Sequence, residues 1–179
     1  MYFVNNIIAS HCVTIMANPH YKNFIRQLAN PLKFQIFMLT QLPSAWFAGL
    51  KIEKLTEQQA IISVSYKWFN KNPFRSIYVA VLSMPSEVST GILCMGALYK
   101  RTPAVSMLVV KNQGAFYKKA VGKIFFSCKD GDQINEAVEK AIATGESVTV
   151  DCHTIGTNEQ SEVVAEFTFT WSFKARQSK

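Results

Sequence analysis

Apolar positions along the chain fall into two periods, and the way they change over lays out the elements. Asn18-Pro19 reads as an N-cap followed by a first helical proline, and Phe24, Ile25 and Leu28 continue an apolar stripe as far as Asn30-Pro31. Phe34, Phe37, Met38 and Leu42 repeat that spacing in a second helix, which Pro43 stops. Both helices are expected to cover an edge or end of a sheet. Residues 60–66 then switch to period two, with Ile62, Val64 and Tyr66 alternating with Ser63 and Ser65, the pattern of a strand with one buried face. The same alternation is longest at 162–173, where Val163, Ala165, Phe167, Phe169, Trp171 and Phe173 form the apolar set. Shorter strands are expected at 105–110, 123–128 and 147–154, giving about five in all, joined by connections that suit an antiparallel sheet.

Two further helices stand out. One starts at Asp132, carries Ile134, Ala137, Val138, Ala141 and Ile142 on one face, and is closed by Gly145. The other, over residues 78–98, is apolar almost all round, from Val79, Val81 and Leu82 through Ile92, Leu93 and Met95 to Leu98, and this predicts a buried helix. At about 1.5 Å per residue it would span roughly 30 Å, the width of a small domain. Pro85 removes one internal N–H bond and is expected to kink it near the Val81 carbonyl. The polar residues Glu87, Ser83, Ser86, Ser89 and Thr90 argue against a membrane-spanning segment. The pattern as a whole predicts an α+β fold in which an antiparallel sheet wraps this helix.

Composition adds limits. A chain of 179 residues is long enough for one full core, and 49% apolar against 17% charged residues is an ordinary globular balance. The expected organisation is a single domain over 18–179. Residues 1–17 form an N-terminal arm or an overextended start, with Met1 and Met16 as the two candidate starts. They carry neither a basic n-region nor an uninterrupted apolar run, so a cytoplasmic location is expected. The net charge of +7 favours anionic partners. Its cations are scattered pairs such as Lys100-Arg101 and Lys118-Lys119, with no nucleic-acid motif, so nucleic acid is not among the expected partners. Cys12, Cys94, Cys128 and Cys152 lack zinc or redox spacing, and His11, His20 and His153 are isolated, so no metal is expected and the cysteines read as reduced core thiols.

Candidate chemistry lies on the apolar helix and its approach. Glu87 is the single charged residue between Arg75 and Lys100. If buried, its carboxyl would be pushed towards neutral pKa and become an acid or base; alternatively Ser83, Ser86, Glu87 and Thr90 form one wet stripe and Glu87 is merely solvated. Upstream, the turn at Asn70-Lys71-Asn72-Pro73 leads into a helix start whose free N–H groups polarise carbonyl oxygens, unless Asn72 only turns the chain.

Asn72-Pro73, Tyr78-Val79-Ala80, Glu87 and Gly91 together resemble the signature of hotdog-fold acyl-CoA thioesterases of the phenylacetate-pathway type. In that family an Asn-Pro pair precedes a His-Gly-Gly entry to the central helix, an acidic residue follows about two turns in, and a glycine comes one turn later. The spacing agrees without gaps. The resemblance extends over residues 21–173 and is closest to a less characterised thioesterase-like branch. It implies a hotdog fold with extra N-terminal helices, an acyl-CoA substrate with no cofactor beyond the coenzyme A it carries, and a homodimer or a tetramer built from it. Glu87 would activate water or attack the thioester directly, Val79 N–H would hold the oxyanion, and Asn72 and Tyr78 would position the reacting groups. The family places this pocket between two subunits; Arg75 would meet a coenzyme A phosphate, and Ser106 would be the assisting polar residue of the strand after the helix, one position off the expected site. Tyr78 stands where the family has His, Val79 and Ala80 where it has Gly, and Arg75 replaces a further Gly. These replacements motivate the alternative, a non-catalytic acyl-CoA- or lipid-binding hotdog protein, while the lack of a nearby His argues against a dehydratase.

Overall fold

A computed structural model describes residues 18–176; the expected arm over 1–17, the choice between Met1 and Met16, and the readings of His11 and Cys12 lie outside them. Three short helices open the described chain: α1 (Tyr21–Leu28), α2 (Pro31–Gln41) and α3 (Pro43–Ala48). Pro43 does stop α2, as its missing N–H requires, but it also supplies the first residue of α3, the position where a helix tolerates it. Asn30 caps α2 through its side chain, which accepts from Leu32 and Lys33 N–H.

The strands are β1 (Lys51–Leu55), β2 (Ala60–Ser65), β3 (Val105–Phe116), β4 (Lys123–Cys128), β5 (Val148–Thr157) and β6 (Val163–Ala175). They form one antiparallel sheet in the order β1-β2-β4-β5-β6-β3, so the sheet has six strands where five were expected. The unexpected one, β1, is a charged edge strand whose pairing with β2 shifts register between Ile52 and Lys54, which breaks its alternation. At the other edge, β3 runs six residues beyond the expected end at Val110, paired along its length to β6 with a register shift between Val109 and Lys111.

The long apolar segment forms α4 (Val79–Leu98), and the sheet wraps it, with α4 packed against β2, β4, β5 and β6. The period-two face of β6 meets it: Ala165, Phe167, Phe169, Trp171 and Phe173 are buried, with Val164 buried from the alternate set and Val163 exposed at the strand start. Helix α5 (Gly131–Thr144) covers β5 and β6, and Gly145 ends it at φ 70°, a left-handed position that glycine adopts without steric cost.

Asn18 does something the sequence did not suggest. It does not cap α1, whose N-cap is His20; its side-chain amide reaches across to α4 and donates to the carbonyls of Gly96, Ala97 and Tyr99 at 3.0, 3.1 and 2.8 Å. Gly96 lets α1 approach there, since a Cβ at that position would lie 2.4 Å from the Tyr21 ring. Cys94 on α4, Cys128 on β4 and Cys152 on β5 are free thiols with no exposed surface.

Candidate functional site

The approach to α4 is a loop stitched by one side chain. Asn72 Oδ1 accepts from the N–H groups of Phe74 and Ser76 at 2.9 and 3.2 Å, while its amide donates to Ser76 Oγ and to the Ile77 carbonyl at 3.0 and 3.4 Å. Its polar atoms are occupied within the turn, so Asn72 acts on anything beyond through the backbone it fixes. Arg75 sits in this loop at φ 58°, a left-handed conformation that costs a residue with a Cβ roughly 1–2 kcal/mol. Arg75 therefore holds, at that cost, a backbone conformation that glycine adopts freely. The Arg75 side chain is exposed and borders a groove with Tyr66 and Lys71.

Tyr78 is the N-cap residue of α4; its own N–H donates to the Asn70 carbonyl, and its carbonyl accepts from Val81 and Leu82. Val79 and Ala80 follow as the first helical residues, where no intrahelical acceptor exists for their N–H groups. The positive end of the helix thus faces outward, with no acidic side chain in the first turn to neutralise it. Val79 and Asn72 border a cleft of ≈ 390 Å³ shared with Phe74, Leu82, Phe116 and Lys119.

Glu87 lies two turns further on. The wet-stripe reading of its neighbours does not hold, because Ser86, Ser89 and Thr90 are fully buried and satisfied internally. Ser86 Oγ donates to the Ser83 carbonyl at 2.8 Å, and Ser89 Oγ donates to the Ser86 carbonyl at 2.7 Å and meets Thr154 Oγ1 at 2.8 Å. Thr90 Oγ1 donates to the Glu87 carbonyl at 2.9 Å and accepts from Trp171 Nε1 at 3.0 Å. Helical serines and threonines commonly satisfy themselves this way. The Glu87 side chain alone of the group has no hydrogen-bond or ion-pair partner among the described residues. Its side chain reaches solvent at the mouth of an apolar cavity of ≈ 180 Å³, lined by Phe34 and Phe37 of α2, Ala45 of α3, Gly91 of α4, Met107 of β3 and Trp171 of β6. Loss of water against those walls raises its pKa above the ordinary 4.5.

Ser106 does not border this cavity. Its Oγ donates to the Lys174 carbonyl at 3.1 Å, and strand alternation puts Met107, the next residue, on the cavity wall. Nor does one chain bring Glu87 and Val79 together: eight residues of helix separate them by about 12 Å, and they open on different cavities. Phe34, Phe37 and Trp171, which sequence reading assigned only to packing, build the Glu87 cavity together with Ser44, which it did not single out. One signal did point there: Gly91, the last residue of the Asn72-to-Gly91 spacing, leaves the gap into which Trp171 packs, a Cβ at Gly91 lying 3.3 Å from the indole. Among the described residues no three His, Cys, Asp or Glu side chains gather as a metal site.

No protein-family model matches the sequence, and neither does any curated protein. Solved structures do match in fold. A Pseudomonas aeruginosa protein of unknown function, described as a probable thioesterase, is 20% identical over 82% of this chain and 97% of its own, with a TM-score of 0.70. The Escherichia coli PaaI protein from the phenylacetic acid degradation operon is 12% identical, covering 88% of this chain and 96% of its own, at a TM-score of 0.59. A Staphylococcus aureus thioesterase enzyme, as a mutant, is 15% identical over 72% of this chain and 95% of its own, at 0.55. The chain has the hotdog fold of these structures, with its central helix, its antiparallel sheet and helices added before the first strand.

Proposed function

We propose that this hotdog chain hydrolyses acyl-CoA thioesters as a homodimer, with Glu87 as the general base. The observation that carries the proposal is the unpartnered Glu87 carboxylate at the mouth of an apolar cavity, on the same helix that begins with free N–H groups at Val79. A carboxyl with a raised pKa is a stronger base than an ordinary glutamate, and its apolar surroundings suit an acyl group.

The second subunit supplies what one chain lacks. Strand β3 is a long sheet edge carrying exposed Leu108 and Val110, and such an edge is a template for pairing with another strand. Met107, near its start, belongs to the Glu87 cavity, and Phe116, at its end, belongs to the Val79 cleft. Antiparallel pairing of β3 with the β3 of a second copy would bring the start of one strand beside the end of the other. Glu87 of one protomer would then face the helix N-terminus of its partner, as the family resemblance implies.

In this arrangement Glu87 takes a proton from water, and the hydroxide oxygen bonds to the thioester carbonyl carbon. The carbonyl oxygen, now negative, accepts from Val79 N–H at the positive end of α4. The C–S bond breaks as the carbonyl re-forms, and the coenzyme A thiolate takes up the proton, giving a carboxylic acid and free thiol. Tyr78 has a hydroxyl for the carbonyl or the water. Asn72 is a positioning residue that holds the loop, and Arg75 with Lys71 offers cations to the coenzyme phosphates.

The test is purified protein, a panel of acyl-CoAs of different chain length and a thiol reagent. Turnover that Glu87→Ala removes supports the reading; no turnover at any length, or turnover indifferent to Glu87→Ala, sinks it. A second reading, an acyl-CoA- or lipid-binding protein without catalysis, draws on the occupied side chain of Asn72 and on Tyr78 and Arg75 in place of the family's His and Gly. Tight acyl-CoA binding by calorimetry without hydrolysis would favour it.

A further inference from the structure

We propose that the N-terminal helices α2 and α3 set the length of the acyl group, with Phe37 and Ala45 as specificity-determining residues. This rests on the reading of Glu87 as the residue that meets the thioester. A carbonyl held at the cavity mouth directs the acyl chain inward, because coenzyme A is too large and too polar for the space behind Glu87. The cavity walls differ in rigidity. Trp171 is held by its hydrogen bond to Thr90 and lies against Gly91, so the sheet side is fixed. Met84, Met95 and Met107 are flexible thioethers that adapt to what touches them. The remaining wall is built by α2 and α3, where Phe34 and Ala45 are each 4% exposed. Besides Glu87, Ser44 is the only polar residue on the lining among the described residues.

Size then defines the substrate class. An apolar cavity of roughly 150 Å³ holds a molecule of benzene. At ≈ 180 Å³ this one takes an acyl group of about six carbons, and a longer chain meets Phe34, Phe37 or Trp171. Ala45 is the smallest side chain on the helical wall, so enlarging it fills the cavity; Phe37 is the most voluminous of the partly buried ones there, so truncating it opens the cavity towards α2.

Non-hydrolysable thioether analogues of acyl-CoA, from two to twelve carbons, titrated by calorimetry into the full chain, test the gauge, alongside turnover of the matching thioesters. In the unaltered protein, affinity is expected to rise about fourfold per methylene, the value of burying one CH₂, and to level off near six carbons. Ala45→Leu should lower the ratio of six-carbon to two-carbon affinity by about tenfold or more, and Phe37→Ala should move the break to about eight carbons. Thermal melts of both variants establish that they fold, and because their expected shifts are opposite, a general loss of integrity cannot mimic the pair. Affinity that climbs without a break to twelve carbons, or a break at the same length in both variants, overturns the proposal. Length-dependent binding without turnover instead overturns the thioesterase reading and leaves the gauge standing.

Discussion

At the scale of single residues, Glu87 carries two opposite demands. Desolvation favours its neutral form in the folded chain, whereas the proposed base catalysis needs the carboxylate. Because its pKa is raised, its contribution to stability is fully present below the ordinary glutamate range and is lost as pH rises through the raised value. Glu87→Gln is therefore expected to match the unaltered protein in urea denaturation near pH 4 and to become the more stable of the two by pH 8. Activity should move the other way. Its acid limb should lie above pH 4.5, and Glu87→Ala should lower kcat/KM by about a hundred- to ten-thousandfold, the usual worth of a positioned base. That Glu87 needs an explanation is legible in the sequence, because it is one charge on an apolar helix. The burial of Ser86 and Thr90 is not, because a hydroxyl that bonds its own helix backbone looks polar in sequence and packs as apolar. Ser106 shows the same limit in a strand, where a one-residue offset moves a side chain to the other face.

Among the elements, those with strong periods stand where the pattern put them: α4, α5, β2, β4 and β6 differ from the expected spans by only a few residues. Elements defined by what they meet were hidden. Strand β1 is charged and irregular and exists by pairing with β2; α3 depends on a proline that equally marks an end. Asn18 is the clearest case, since the last carbonyls of α4 are satisfied by a side chain 78 positions upstream of Gly96. Asn18→Ala would take one donor from each of these carbonyls; Gly96 and Ala97 keep Tyr99 N–H and Arg101 Nε, while the Tyr99 carbonyl keeps no other donor among the described residues, and a loss of about 1–3 kcal/mol is expected from urea denaturation. The same substitution should loosen α1, whose Tyr21 packs on Gly96, so amide exchange should speed up first at the C-terminal turn of α4 and in α1.

For the whole molecule, the proposed dimer rests on the open edge at β3. Replacing both Leu108 and Val110 by Lys puts like charges on the strand that would meet its own copy, and charged edges resist pairing. Sedimentation should then find a monomer. Thioesterase activity should fall with it while Glu87 and the cavity residues remain unaltered, since Val79 of the partner would no longer stand opposite.

The three buried thiols lend the fold a built-in clock. Cys94, Cys128 and Cys152 belong to the helix and to two different strands, and burial holds the Cys94 and Cys128 thiols well above their usual titration range. An alkylating reagent that attacks thiolates meets them only when the core parts. If helix and sheet separate in one cooperative step, mass spectrometry should find all three alkylated at one rate that falls as denaturant is removed. If α4 can slip out alone, Cys94 should be marked before the strand cysteines, and the order of labelling would report which part of the hotdog lets go first.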